Sequence, residues 1–124
     1  MGKTADLRKL IVAQLNAVAG ATYYRRAPSN TTYPYKTFFL SRVNLTSSSC
    51  YYYDLQIDIW DNATDPKRIE EIADELEDLL NASRLPQPAI LPDFFMESRF
   101  QVDDPDKNIQ HLQLTFLVEL YTTM

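Results

Sequence analysis

Glycine is nearly missing from this chain: Gly2 and Gly20 are the only two in 124 residues. A phosphate-cradling loop needs several glycines for backbone amides to close on the anion, so P-loops and dinucleotide-binding turns are excluded. Cysteine and histidine each occur once, as Cys50 and His111. One thiol makes no intramolecular disulfide, and nothing points to an oxidising compartment. The pair lies in different predicted strands, with no Asn or Asp spacing that would suggest a triad. Long apolar runs are lacking too. No stretch approaches the ~20 apolar residues of a membrane span, and the N-terminal segment carries charges where a secretory signal has an apolar core. The Asn-x-Ser/Thr matches at Asn30, Asn44, Asn62 and Asn81 therefore read as chance matches in an intracellular chain. Basic runs are equally scarce. A net charge of −5, with Arg25-Arg26 as the nearest thing to a cluster, argues against a sequence-specific nucleic-acid face.

Carboxylates are plentiful but badly placed for chemistry. Asp54 and Asp58 share one face of a predicted strand, which separates them by about 13 Å, too far for a paired acid–base mechanism. By charge alone Asp103, Asp104 and Asp106 could hold Mg²⁺ or Ca²⁺. Their loop lacks the glycine and distal Glu of an EF-hand, however, and Pro105 interrupts it, so it reads as a solvated acidic turn. No catalytic, metal-binding or cofactor-binding residue is assigned, and the work of the chain is expected at surfaces that bind other proteins.

What the sequence does have is apolar periodicity and aromatic rings. Hydrophobic residues make up 45%, including eight Tyr, six Phe and one Trp, and the length suits a single domain over residues 1–124. Leu7, Leu10, Ile11, Leu15 and Val18 recur at helical steps, predicting a helix over residues 4–18 with Thr4 as N-cap and Gly20 as its stop. A short strand is possible at Tyr23, Tyr24, Arg25 and Arg26. This basic-aromatic group suits an acidic neighbouring subunit or plain solvent better than single-stranded nucleic acid, given the overall charge. Tyr33-Pro34-Tyr35 opens an extended run to about residue 45, and the serines at 47–49 mark a turn.

Alternation then predicts a strand at residues 51–60, with Tyr51, Tyr53, Leu55, Ile57 and Ile59 facing a core. Asp65-Pro66 starts a second helix to about residue 81, with Asp65 as N-cap; Ile69, Ile72, Ala73, Leu76, Leu79 and Leu80 form its apolar stripe. Pro86, Pro88 and Pro92 make an extended linker. Two further runs follow, joined by the acidic loop into a hairpin. Phe94, Met96, Ser98, Phe100 and Val102 are expected on one face of the first, and Leu112, Leu114, Phe116, Val118 and Leu120 on one face of the second.

The resulting expectation is an α+β two-layer sandwich: a mostly antiparallel sheet of four or five strands with two helices packed on one face. The opposite face, with Asp54, Asp58, Glu97, Arg99, Gln101, His111, Gln113 and Glu119, is solvated or placed against a partner. Tyr52, Asp54, Arg99, His111, Gln113 and Tyr121 are the candidates for a subunit interface on it. The last run, from residue 109 to 121, is long for a strand. Either its surplus leaves an open edge for self-assembly, or a bend or bulge divides it.

The order of these elements resembles a family of small tail-completion proteins of long-tailed bacteriophages, related to tail terminators and head-to-tail joining proteins. The resemblance rests on the N-terminal helix, on Tyr33-Pro34-Tyr35 leading into Lys36-Thr37-Phe38-Phe39-Leu40, and on Leu55-Gln56-Ile57-Asp58-Ile59-Trp60-Asp61. It extends to the helix ending Glu75-Leu76-Glu77-Asp78-Leu79-Leu80 and the terminal Leu114-Thr115-Phe116-Leu117-Val118-Glu119-Leu120-Tyr121. The linker at 86–92 and the longer acidic loop depart from the pattern. What the resemblance implies is a structural virion protein of a phage or prophage without cofactor or catalysis. Such proteins assemble in host cytoplasm as a homo-oligomeric ring, usually hexameric, that meets the tail tube or head-completion (connector) proteins. Asp103, Asp104 and Asp106 would then be candidates for the ring lumen, where acidic charge repels passing DNA. The alternative is a non-catalytic protein–protein adaptor module of another system.

Overall fold

A computed structural model describes residues 2–46 and 50–122. In chain order the elements are α1 (Lys3–Leu15), β1 (Ala21–Tyr24), β2 (Tyr35–Thr46), β3 (Cys50–Asp61), α2 (Lys67–Leu80), β4 (Ser83–Arg84), β5 (Ile90–Val102) and β6 (Gln110–Thr122). The strands form one sheet in the order β1-β2-β3-β6-β5-β4, antiparallel except for the parallel pair β1–β2. The sheet is thus six-stranded and mixed. The additional strand, β4, is two residues long and precedes the prolines, while β5 begins at Ile90, inside what they suggested was plain linker. Pro92 lies within β5, and its carbonyl accepts from Leu85 on the β4 margin, the side on which a missing N–H is tolerated. The serine turn at 47–49 lies outside the described residues.

Both helices pack on one face of the sheet. Leu7, Ile11 and Leu15 of α1 and Ile69, Ile72, Ala73, Leu76 and Leu80 of α2 meet the inward rows of the strands. Those rows are Phe38 and Leu40 of β2, then Tyr53, Leu55, Ile57 and Ile59 of β3. Leu114, Phe116, Val118 and Leu120 of β6 and Ile90 and Phe94 of β5 complete them. Each buried Leu, Ile, Val or Phe among them contributes about 1.5–3 kcal/mol, which outweighs the few tenths lost to acidic residues at the C-terminal end of α2.

Helix ends depart from expectation in detail. Thr4 is not the cap of α1; Gly2 holds that position, and the Thr4 hydroxyl instead bonds the Tyr53 phenol at 2.6 Å. The helix stops at Leu15, well before Gly20. Gly20 has φ +94°, and a Cβ there would lie 3.0 Å from the Pro34 carbonyl oxygen, so its role is a close backbone crossing into β1. Lys36 secures that crossing. It is fully buried, and its Nζ donates to the carbonyls of Val18 (3.0 Å), Ala19 (2.9 Å) and Gly20 (2.5 Å). Burial pushes its ammonium down to about 8, partly opposed by Glu75. Pro66 rather than Asp65 takes the N-cap position of α2, one before the helix begins, and Asp65 just upstream accepts from the Lys67 amide at 2.8 Å.

Two departures matter for the surface. The long last strand offers no open edge, because β6 is central and pairs with β3 on one side and β5 on the other along nearly its whole length. Its length is explained inside the domain. The bulge lies in β5 instead, between Met96 and Ser98. The Met96 amide there is taken by the Asn81 side chain at 2.9 Å, tying the bulge to the end of α2. An extra residue reverses the alternation. Beyond it Ser98, Phe100 and Val102 leave the Phe94 and Met96 face and join the outer one, while Arg99 and Gln101 turn toward α2.

Candidate docking surface

The face of the sheet away from the helices can be read row by row from the register. Tyr35, Trp60, His111 and Val102 stand side by side across β2, β3, β6 and β5; the next row is Thr37, Asp58, Gln113 and Phe100. Then come Phe39, Gln56, Thr115 and Ser98, followed by Ser41, Asp54, Leu117 and Phe95. Tyr52, Glu119 and Asp93 make the row beyond. The middle columns are mostly polar, and the exposed large rings stand at the margins. Phe39, at the β2 margin, is 38% exposed, and Phe95 and Phe100, at the β5 margin, are 41% and 47% exposed. Large rings held open to solvent on both flanks of a hydrogen-bonded strip are what a protein interface presents.

The first row is a stack of rings. Tyr33 leans on Tyr35 with centroids 5.4 Å apart, Tyr35 stacks on Trp60 at 5.1 Å, and Trp60 stacks on His111 at 4.3 Å. His111 Nε2 lies 2.8 Å from Asp58 Oδ1, which also accepts from Gln113 Nε2 at 2.9 Å; Asp58 Oδ2 accepts from Gln56 Nε2 at 2.9 Å. Burial alone would raise the Asp58 pKa, but donors from His111, Gln56 and Gln113 outweigh it and hold the carboxyl below its ordinary value. The cluster fixes the strip, with both Asp58 oxygens engaged.

The predicted interface residues divide. His111 and Gln113 meet at Asp58, which sequence reasoning placed on this face without assigning it a role. Tyr52 and Asp54 are on the face as expected, as is Tyr121, whose hydroxyl donates to Glu119 at 3.3 Å. Between Tyr52 and Tyr121, Cys50 pushes both phenols up by hydrogen bond and charge, Tyr121 to about 12. Arg99 is not on this face. The bulge turns it to α2, where it bonds Asp74 at 2.6 Å and Glu77 at 3.2 Å. Phe39, Phe95, Phe100 and Trp60 were missed as surface residues. For Phe100 the only sequence signal would have been the bulge itself.

The acidic loop sits at the ring-stack end of the sheet. Asp104 raises the Tyr35 phenol's pKa, behind the larger effects of burial and Tyr33. Asp104 and Asp106 each accept a backbone amide two residues on, from Asp106 and Asn108, at 2.9 Å, so both partly serve the loop's own turn; Asp103 is exposed. Among the described residues no three His, Cys, Asp or Glu side chains converge as a metal site would require. Among the described residues no helix is long and apolar enough to cross a membrane.

Comparison with known proteins places this geometry. The family described as "Tail completion protein gp17" matches residues 7–119. A chain from the virion of a native gene transfer agent (GTA) particle superposes with TM-score 0.66 at 13% identity, over 90% of this chain and 84% of that one. A second solved chain, which carries no functional description, superposes with TM-score 0.67 at 12% identity over 99% and 98%. At such identities the likeness is one of fold. No curated protein matches the sequence significantly.

Proposed function

The chain belongs to the gp17 tail completion family, and from that premise we propose that it is a non-catalytic virion protein that completes the tail of a long-tailed phage, prophage or phage-like particle. In this reading it assembles with copies of itself as a six-membered ring in the host cytoplasm and joins the tail tube to head-completion proteins. The match over nearly the whole chain carries the reading. The outer sheet face supports it, because exposed Phe39, Phe95 and Phe100 around the Asp58 strip need a protein to cover them. Tyr52, Asp54, His111, Gln113 and Tyr121 lie within the contact, with Arg99 behind it bracing α2. Asp103, Asp104 and Asp106 face the lumen, where their charge keeps DNA from adhering.

Deleting the gene from its parent particle and imaging the lysate tests this. Heads and tails that accumulate unjoined, or tails of uncontrolled length, are expected. Normal infectious particles without the gene would contradict it. A ring structure with the acidic loop on its outer rim would remove the lumen assignment alone.

A further inference from the structure

Charge is distributed unevenly around this domain, and the two extremes lie on different surfaces. Along the β1–β2 margin and the start of α1, Lys3, Arg8, Arg25 and Arg42 each sit over an aromatic ring. Lys3 and Arg42 share Tyr51 at 4.3 and 4.6 Å from its centroid. Arg8 and Arg25 share Tyr24 at 5.2 and 5.6 Å, and Arg25 also covers Phe39 at 4.8 Å. The Tyr24 hydroxyl reaches the Leu40 carbonyl, which joins the two pairs into one rim. Among the described residues, none of these cations has a carboxylate within ion-pair distance, although the chain carries a net charge of −5.

The negative extreme is the solvent face of α2. Glu70, Glu71, Asp74, Glu75, Glu77 and Asp78 line it. Arg99 takes Asp74 and Glu77, and Lys67 lies 3.9 Å from Glu71, while Glu70 and Asp78 are exposed and, among the described residues, without an ion partner; Glu75 is exposed beside them. The two surfaces are complementary in sign and non-overlapping. On a single chain that is the requirement for a head-to-tail contact, which repeats from copy to copy and closes when the rotation allows. The rings under the cations hold them in place and give the rim an apolar floor, so the contact would desolvate both flat aromatic and charged area.

We propose that the Lys3, Arg8, Arg25, Arg42 rim of one copy docks on the acidic face of α2 of the next, leaving the outer sheet face beyond Phe39 for the tail tube or the head. This rests on the ring reading above and names the contact that builds the ring. Complementary potentials set the register and the encounter rate, so the association weakens with salt.

A charge-swap mixture tests it. One variant carries Arg25→Glu and Arg42→Glu, the other Glu70→Lys and Asp78→Lys; all four positions are exposed, and thermal melting confirms that each variant folds. By mass measurement in low salt the wild type is expected to form a multi-subunit species. Each variant alone associates at least about tenfold more weakly, because like charges then face one another. Mixed in equal amounts, the two variants restore the assembly, since every rim again meets an α2 face of opposite sign. A wild type that stays monomeric at the highest reachable concentration, variants that associate as it does, or a mixture that stays dissociated would each overturn the proposal. So would loss of single-stranded DNA retention by the Arg variant with its self-association intact, which would make the rim a polyanion site. Should the Arg variant still complete particles in vivo, the tail role stands and only this contact fails.

Discussion

The two faces of this sheet are made by the same strands and divide the labour. The inner face is closed: Leu55, Ile57, Ile59, Leu114, Phe116 and Val118 have no solvent exposure, and the charges buried there are paired, Lys36 by three carbonyls and Asp61 by Arg68. The outer face is left open, with rings at its margins and a hydrogen-bonded strip between them. Stability is therefore concentrated on the inner face and the proposed docking on the outer, and substitutions on the two should largely separate these properties.

The largest effect is expected inside. Leu55→Ala removes a fully buried side chain and should cost about 2–5 kcal/mol in chemical denaturation. A loss under about 1 kcal/mol would mean that the inner face is not the core. Next is the pH response of Lys36. The unfolded chain keeps this proton until about 10.5, whereas the folded one releases it near 8. The unfolded state thus binds more protons in that window, and stability rises with pH across it. Measured as wild type minus Lys36→Met, which cancels other groups, the gain should reach roughly 1–3 kcal/mol. A difference that falls with pH would show that the three carbonyls hold the ammonium more tightly than burial opposes it.

Asp58→Asn comes third. It weakens three donor contacts on the outer strip and should cost about 1–3 kcal/mol at neutral pH. Because the folded carboxyl titrates below its unfolded value, that contribution is present above the ordinary carboxylate range and fades as pH falls through the folded pKa. Parallel stability curves for wild type and variant down to low pH would contradict the cluster. Smallest in stability, within about 0.5 kcal/mol, is Phe100→Ser at the open margin, whose effect should appear in assembly instead.

Much of the inner face was legible from the chain, because a period of two in β3 and β6 and a helical period in α2 leave few ways to bury the apolar residues. The outer face was less so. The bulge between Met96 and Ser98 has no glycine or proline to announce it, and its support, Asn81, lies across a turn of the fold. Extending strict alternation through it misplaces every residue from Ser98 to Val102, Arg99 among them. The meeting of His111 with Asp58 depends on the β3–β6 register, which alternation suggests but does not number. The edge expected on the last strand was misjudged for another reason: strand length says nothing about position in the sheet, and β6 turned out central.

The most direct test of the account is complementation of the gene-deleted particle by a chain carrying Phe39→Ser, Phe95→Ser and Phe100→Ser. This variant should melt like the wild type and yet leave particles unfinished. Full infectivity from a folded chain so stripped would contradict the claim that the outer face is where this protein acts.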